Sequence, residues 1–256
     1  MNQDIPRKLP AAQGLQWINA GFRLYRKNPL LLSAAFGVAF GVVMALGLIP
    51  GLGGALSDLA WPLAVAGFMA VYRALDEDQE LELPQFLSGL QPVALSLMTI
   101  GAIQLLAMLV IGKVMLGMGF DPQAIMDTAK RGDASPQEMQ ALINQSMPAV
   151  MTGLLLFTPL MMATWFAPAL VLFGGARPLT ALGISLKAVL RNWTAMLLNG
   201  LALGLLLFVA ALVPFMLGLL VAMPILLASL YASYQAIFAV WADETPSSDQ
   251  AADNLA

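Results

Sequence analysis

The residues best equipped for chemistry are cations at helical spacing. Arg23, Arg26 and Lys27 fall within five residues of "GFRLYRKNP" (21–29), and no charge then occurs from Asn28 to Ser57. Lys187 and Arg191 repeat the arrangement around "VLRNW" (189–193). Steps of three and four bring such side chains to one side of a helix. An ammonium or a guanidinium there offers several donors to a phosphate, the guanidinium bidentately. These five residues suit the capture of anionic lipid headgroups, each cation contributing about 1 kcal/mol near an acidic membrane surface. The same cations would also fix membrane topology, and spacing alone does not separate the two roles.

Other chemistry is poorly provided for. The chain has no cysteine and no histidine, so disulfides, thiol catalysis, thiolate metal sites and an imidazole base or ligand are all excluded. Asp58 and Lys113 are the charges nearest the outer halves of the apolar runs. Asp58 has no second acid at comparable depth, as a paired-carboxylate mechanism would need. Both lie within snorkelling reach of water, and a salt bridge between them is one arrangement open to them. No G-x-x-x-x-G-K-[ST] motif occurs. The expectation is a non-enzyme with no catalytic residue, cofactor site or metal ligand. A rival reading, a small transporter or flippase, rests on Pro62, Pro159, Pro168 and Pro224, since proline-broken helices expose carbonyls that bind substrates. Packed kinks are the plainer reading of the same prolines.

The elements that must position these residues follow from composition. Of 256 residues, 59% are hydrophobic and 11% charged, with a mean hydropathy of +0.79. A soluble domain carries about a quarter charged residues, so a polytopic membrane protein is expected. The net charge of −3 and the lack of a basic tract speak against nucleic acid. Six runs are long enough to span about 30 Å of hydrocarbon: Leu30–Ile49, Gly53–Val71, Val93–Gly112, Ala149–Leu172, Thr194–Val213 and Phe215–Phe238. The first run is longer than the 7–15 residues of a signal peptide's core and reads as an uncleaved anchor.

Nine of the twelve Lys and Arg fall on the side of the N-terminus, which puts both termini in the cytoplasm by the positive-inside rule. Three parts result: a cytoplasmic N-terminal segment with an amphipathic helix (1–29), a six-span membrane domain (30–240) with an extracytoplasmic loop (119–147), and an acidic tail (241–256) whose composition reads as disordered. Within the loop, Asp121-Pro122 and Ser135-x-x-Glu138 are helix starts, and Met139, Leu142, Ile143 and Met147 line one face. Two short amphipathic helices on the outer surface are expected there.

A repeat underlies the two basic corners. Leu15, Ile18, Phe22 and Tyr25 step by 3, 4 and 3, as do Leu179, Leu182, Leu186 and Val189. Each stripe predicts an interfacial helix lying on its apolar side, with Trp17 and Tyr25 at headgroup depth. Asn28 then caps a span that Pro29 opens, and Asn192 is the equivalent corner. Pro62 matches Pro224 and Tyr72 matches Tyr234. A weaker middle copy runs through Leu83, Phe86, Leu87 and Leu90 to Gln91-Pro92. The fold expected is an all-α polytopic bundle of six transmembrane helices, three hairpins each preceded by an amphipathic interfacial helix. Gly37/Gly41 and Gly200/Gly204 are G-x-x-x-G pairs suited to close helix crossings.

Through "GFRLYRKNP" (21–29), "WFAPALVLF" (165–173), "LRNW" (190–193) and "YASYQAIF" (231–238), the chain resembles an uncharacterised family of proteobacterial six-span inner-membrane proteins. That family is distantly similar to the membrane domain of some glycerophosphodiester phosphodiesterases. The likeness covers residues of roughly 10–240. It implies a bacterial inner-membrane location and supplies no activity or site residue. The partners this reading admits are membrane lipids and either a membrane-protein partner or further copies of the chain. The function expected is binding of lipid or another amphiphile, or service as an accessory module of a membrane complex.

Overall fold

The computed structural model describes residues 6–79, 90–131 and 135–238. Among them the order is α1 (Gln13–Lys27), α2 (Pro29–Gly47), α3 (Gly53–Asp76), a 3-10 turn (Gln91–Val93), α4 (Ala94–Gly117), α5 (Pro122–Arg131), α6 (Pro136–Trp165), α7 (Ala167–Gly174), α8 (Pro178–Arg191), α9 (Trp193–Ala211), a 3-10 turn (Pro214–Met216) and α10 (Leu219–Phe238). Six of these segments are long and apolar enough to cross a membrane, and no strand occurs among the described residues. The expected amphipathic stretch over 83–89 and the tail over 241–256 lie outside the described residues.

The helix starts behave as their sequences dictate. Asn28 Oδ1 accepts from Leu31 N at 3.3 Å, with Pro29 as the first helical residue of α2. Asp121 Oδ1 accepts from Gln123 N and Ala124 N, and Ser135 Oγ accepts from Glu138 N at 3.1 Å. Each bond satisfies an amide that the first turn leaves open. α5 is the expected first outer helix. The second does not stand apart: Pro136–Trp165 is one continuous helix, so the amphipathic stretch runs straight into the fourth span. Pro148 sits inside it without ending it. The break comes instead at Phe166, and Pro168 opens α7 rather than interrupting a span. The last span begins at Leu219, not Phe215, because Phe215 and Met216 adopt left-handed φ angles of 57° and 56° that no helix continues through.

α1 and α8 precede hairpins as expected, but with different faces turned inward. The residues of α1 buried against the bundle are Gly14, Trp17, Gly21, Leu24 and Tyr25, whereas Leu15 and Phe22 stay 48% exposed. Trp17 is 2% exposed and so is a core residue, not a headgroup anchor. The cause is close approach. A Cβ on Gly14 would run into the Ala195 carbonyl of α9, and one on Gly21 would lie 2.6 Å from Ser229 N of α10. Hydrocarbon gives apolar side chains no reason to prefer protein to lipid, so small residues that let backbones meet decide the packing face. In α8 the buried set is likewise Ala181, Leu182, Ser185, Ala188 and Val189, while Leu179 faces outward.

The G-x-x-x-G pairs do not make the expected crossings within the chain. A Cβ at Gly41, Gly200 or Gly204 would meet nothing within 4 Å, and one at Gly37 would reach only Leu220 at 3.7 Å. Gly101 is the close crossing instead, with a Cβ there 2.9 Å from Leu59 Cα of α3.

α1 packs on α9 and α10, and α8 packs on α6 and α4. The surface helix of the first unit therefore sits on the hairpin of the third, and that of the third on the hairpin of the second, while the three hairpins form a ring left open at one seam. α3 packs closely on α4, and α10 on α2. An aromatic chain runs through the interior, from Phe36 to Phe68, Tyr72, Tyr231, Phe173, Tyr234, Phe238 and Phe166, with centroids 5.0–6.4 Å apart. Such pairs add about 0.5–1.5 kcal/mol beyond burial. Leu197, Leu201, Leu205 and Phe208 of α9 and Leu106, Leu109 and Val110 of α4 are exposed, a surface that water would not tolerate and lipid covers.

Candidate functional site

Where α1 passes the ends of α3 and α10, a pocket of about 380 Å³ opens between Arg23, Leu24 and Lys27 of α1, Asp76 of α3, and Tyr231 and Gln235 of α10. Its position follows from the corner read in the sequence. The glycine face fixes α1 on α10, so Arg23 and Lys27, on the other side, overhang the space beside it. Lys27 is already engaged: its Nζ donates to the Leu75 carbonyl at 2.6 Å and to Asp78 Oδ1 at 2.7 Å. That cation sits at the C-terminal end of α3, where the helix dipole favours positive charge. Tyr231 accepts from Gln235 Nε2 at 2.6 Å and directs its hydroxyl toward Asp76 Oδ2 at 3.3 Å. Arg23 has no hydrogen-bond or ion-pair partner among the described residues.

The five candidate headgroup-binding cations stand in three settings. Arg23 and Lys27 line the pocket. Arg26 lies outside it, over the exposed Phe22 ring at 6.0 Å. Lys187 and Arg191 are exposed on α8, which packs on a different hairpin, and neither lines the pocket. Asp58 and Lys113 do not pair with each other; the ion pairs among the described residues are Lys27–Asp78, Arg73–Glu77 and Arg131–Glu138.

Asp76, Tyr231 and Gln235 complete the site and were not singled out by sequence reasoning. The signal available was "YASYQAIF", where Tyr231 and Gln235 stand one turn apart at the end of an otherwise apolar span. Asp76 was hidden in an acidic run, "LDEDQE", that reads as a solvated loop.

The second asparagine corner acts differently from the first. Asn192 is 1% exposed and makes no side-chain cap. Its Oδ1 accepts from Leu9 N at 2.8 Å, and its Nδ2 donates to the Arg7 and Ala188 carbonyls at 2.9 and 3.0 Å. With Arg7 N donating to the Ile237 carbonyl at 3.0 Å, it straps the segment before α1 to α8 and α10. The strap and the glycine face together set the height of Arg23 above the pocket.

Larger apolar spaces lie elsewhere. α6 and α9, the third seam of the ring, scarcely touch, and a groove of about 280 Å³ runs between them past Phe157, Met161, Trp165, Met196 and Gly200. Trp165 lines this groove, and its buried Nε1 has no partner among the described residues. Beneath α5, Ile125, Met139, Leu142, Ile143 and Met147 surround about 220 Å³, the stripe expected of the outer loop.

The chain is similar to a probable inner membrane protein of Burkholderia thailandensis, with 28% identity over 255 residues, covering 91% of this chain and 93% of that protein. No protein-family model and no solved structure matches the chain. The likeness, with the six apolar segments, supports a multi-pass inner-membrane location. It carries no link to the glycerophosphodiester phosphodiesterases.

Proposed function

We propose that this chain is a non-enzymatic inner-membrane module that holds a phospholipid by its headgroup in the pocket between α1, α3 and α10. The observation that carries the reading is Arg23, a guanidinium overhanging a pocket that Asp76, Tyr231 and Gln235 also line, with no partner among the described residues. Its planar fork matches the oxygens of a phosphate. The depth suits a headgroup, because the pocket lies where α1 turns into α2 through the Asn28-Pro29 corner. With nine of twelve Lys and Arg on this side, the pocket opens to the cytoplasmic leaflet. Lys187 and Arg191 then sit among headgroups as topology-fixing charges.

Transport at proline-broken helices is less well served. Beside Pro62, the cavity lined by Trp61, Ala64, Phe36 and Leu227 is apolar and only about 10 Å³, room for about one water. The Tyr72 hydroxyl donates to the Pro224 carbonyl at 2.6 Å, tying that kink to α3. Both observations favour packed kinks.

The test is native mass spectrometry of the full chain released from mild detergent. Wild-type protein is expected to retain phospholipid, and Arg23→Glu to lose most of it while keeping its thermal midpoint. Equal retention by the two would contradict the reading.

A further inference from the structure

The three acids that close α3 are not alike. Glu77 accepts from Arg73 Nε at 2.8 Å, and Asp78 pairs with Lys27 at 2.7 Å. Asp76 alone of the three has no cation among the described residues, and it is the one that lines the pocket. Its protein contact is the Tyr231 hydroxyl at 3.3 Å, on Oδ2. A carboxylate at the negative end of a helix is unfavourably placed, and nearby positive charge relieves it. Arg23 faces the same space, yet no ion pair joins it to Asp76. The pocket thus presents a base and an acid that leave each other unneutralised.

From this arrangement we infer that the headgroup is zwitterionic, an aminoalkyl phosphate such as the ethanolamine phosphate of a diacyl lipid. The inference rests on the reading that the pocket holds a headgroup. The phosphate takes the Arg23 guanidinium, and the ammonium takes the free oxygen of Asp76, so that each charge is satisfied by a charge-assisted bond. Gln235 fixes Tyr231 by donating to its oxygen, which leaves the tyrosine proton for Asp76. The volume of about 380 Å³ lies in the small-molecule range of about 300–1,000 Å³. A primary ammonium is favoured over a quaternary one because it donates hydrogen bonds to the carboxylate, whereas a trimethylated nitrogen has no N–H. An anionic glycerol headgroup would bring its phosphate to Arg23 and offer Asp76 only neutral hydroxyls, leaving its charge unneutralised.

The experiment uses the full chain in nanodiscs of equal parts phosphatidylethanolamine and phosphatidylglycerol, with retained lipid counted by native mass spectrometry. Wild-type protein is expected to favour the ethanolamine lipid about tenfold, the factor one charge-assisted hydrogen bond supplies. Asp76→Asn should lose the preference by retaining less of the ethanolamine lipid and no less of the glycerol lipid, and Asp76→Glu should restore part of it. Equal retention of both lipids by wild type, or an unchanged preference in Asp76→Asn, would overturn the inference while leaving headgroup binding in place. Retention of neither lipid would sink both. A matched thermal midpoint for Asp76→Asn keeps a folding defect from being read as lost selectivity, and a second disc, with phosphatidylcholine in place of phosphatidylethanolamine, is expected to show no such preference.

Discussion

Two asparagines at equivalent corners do different work, and the difference is measurable. Asn28 is exposed and caps α2, so Asn28→Ala is expected to cost about 0.5–2 kcal/mol, read as a lowered unfolding midpoint in detergent. Asn192 is buried with three bonds, so Asn192→Ala leaves backbone groups unsatisfied, at about 1–3 kcal/mol each. It should also free the segment before α1, which hydrogen exchange at Leu9 would register as lost protection. Equal protection in the two variants would refute the strap. At this scale the site was half legible. Arg23 and Lys27 stand out because charge stops so abruptly after them. Asp76 and Tyr231 do not, since 155 positions separate the two along the chain and only the fold brings them to one hydroxyl–carboxylate contact.

For a helix, what matters is which face it buries, and α1 shows why this was misread. Periodicity weighs apolar side chains, so Leu15, Ile18 and Phe22 drew the stripe and glycine drew nothing. In a bilayer the glycines hold the information, because backbone approach is decided where side chains are absent. Gly21→Val should therefore place two methyl groups against the α10 backbone and cost about 1–3 kcal/mol or more. Gly204→Val, whose Cβ meets nothing, should leave the thermal midpoint nearly unchanged. If both variants melt alike, the packing of α1 on α10 is wrong. α3 and α10 make a second case. Removing one buried hydroxyl with Tyr72→Phe should lower stability by about 1 kcal/mol. The six spans, the caps and the outer stripe were readable because each is a local pattern. The continuous α6 was not, because an interior proline in an apolar helix looks the same in sequence whether it ends the helix or is tolerated.

For the whole molecule, three hairpins form a ring with two tight seams and one open one, and α1 and α8 each sit on a neighbouring hairpin. The absence of cysteine makes its orientation directly readable. Met126→Cys on α5 should react with a membrane-impermeant maleimide in intact cells, and Lys8→Cys only after the membrane is opened; the opposite pattern would invert the topology. The headgroup pocket is the central claim, and photo-crosslinking tests it most directly. With a phospholipid carrying a diazirine in its headgroup, adducts should concentrate on Ala20–Lys27 of α1 and Tyr231–Gln235 of α10, and fall several-fold in Arg23→Gln. Adducts spread along the exposed face of α9, and insensitive to Arg23, would contradict it.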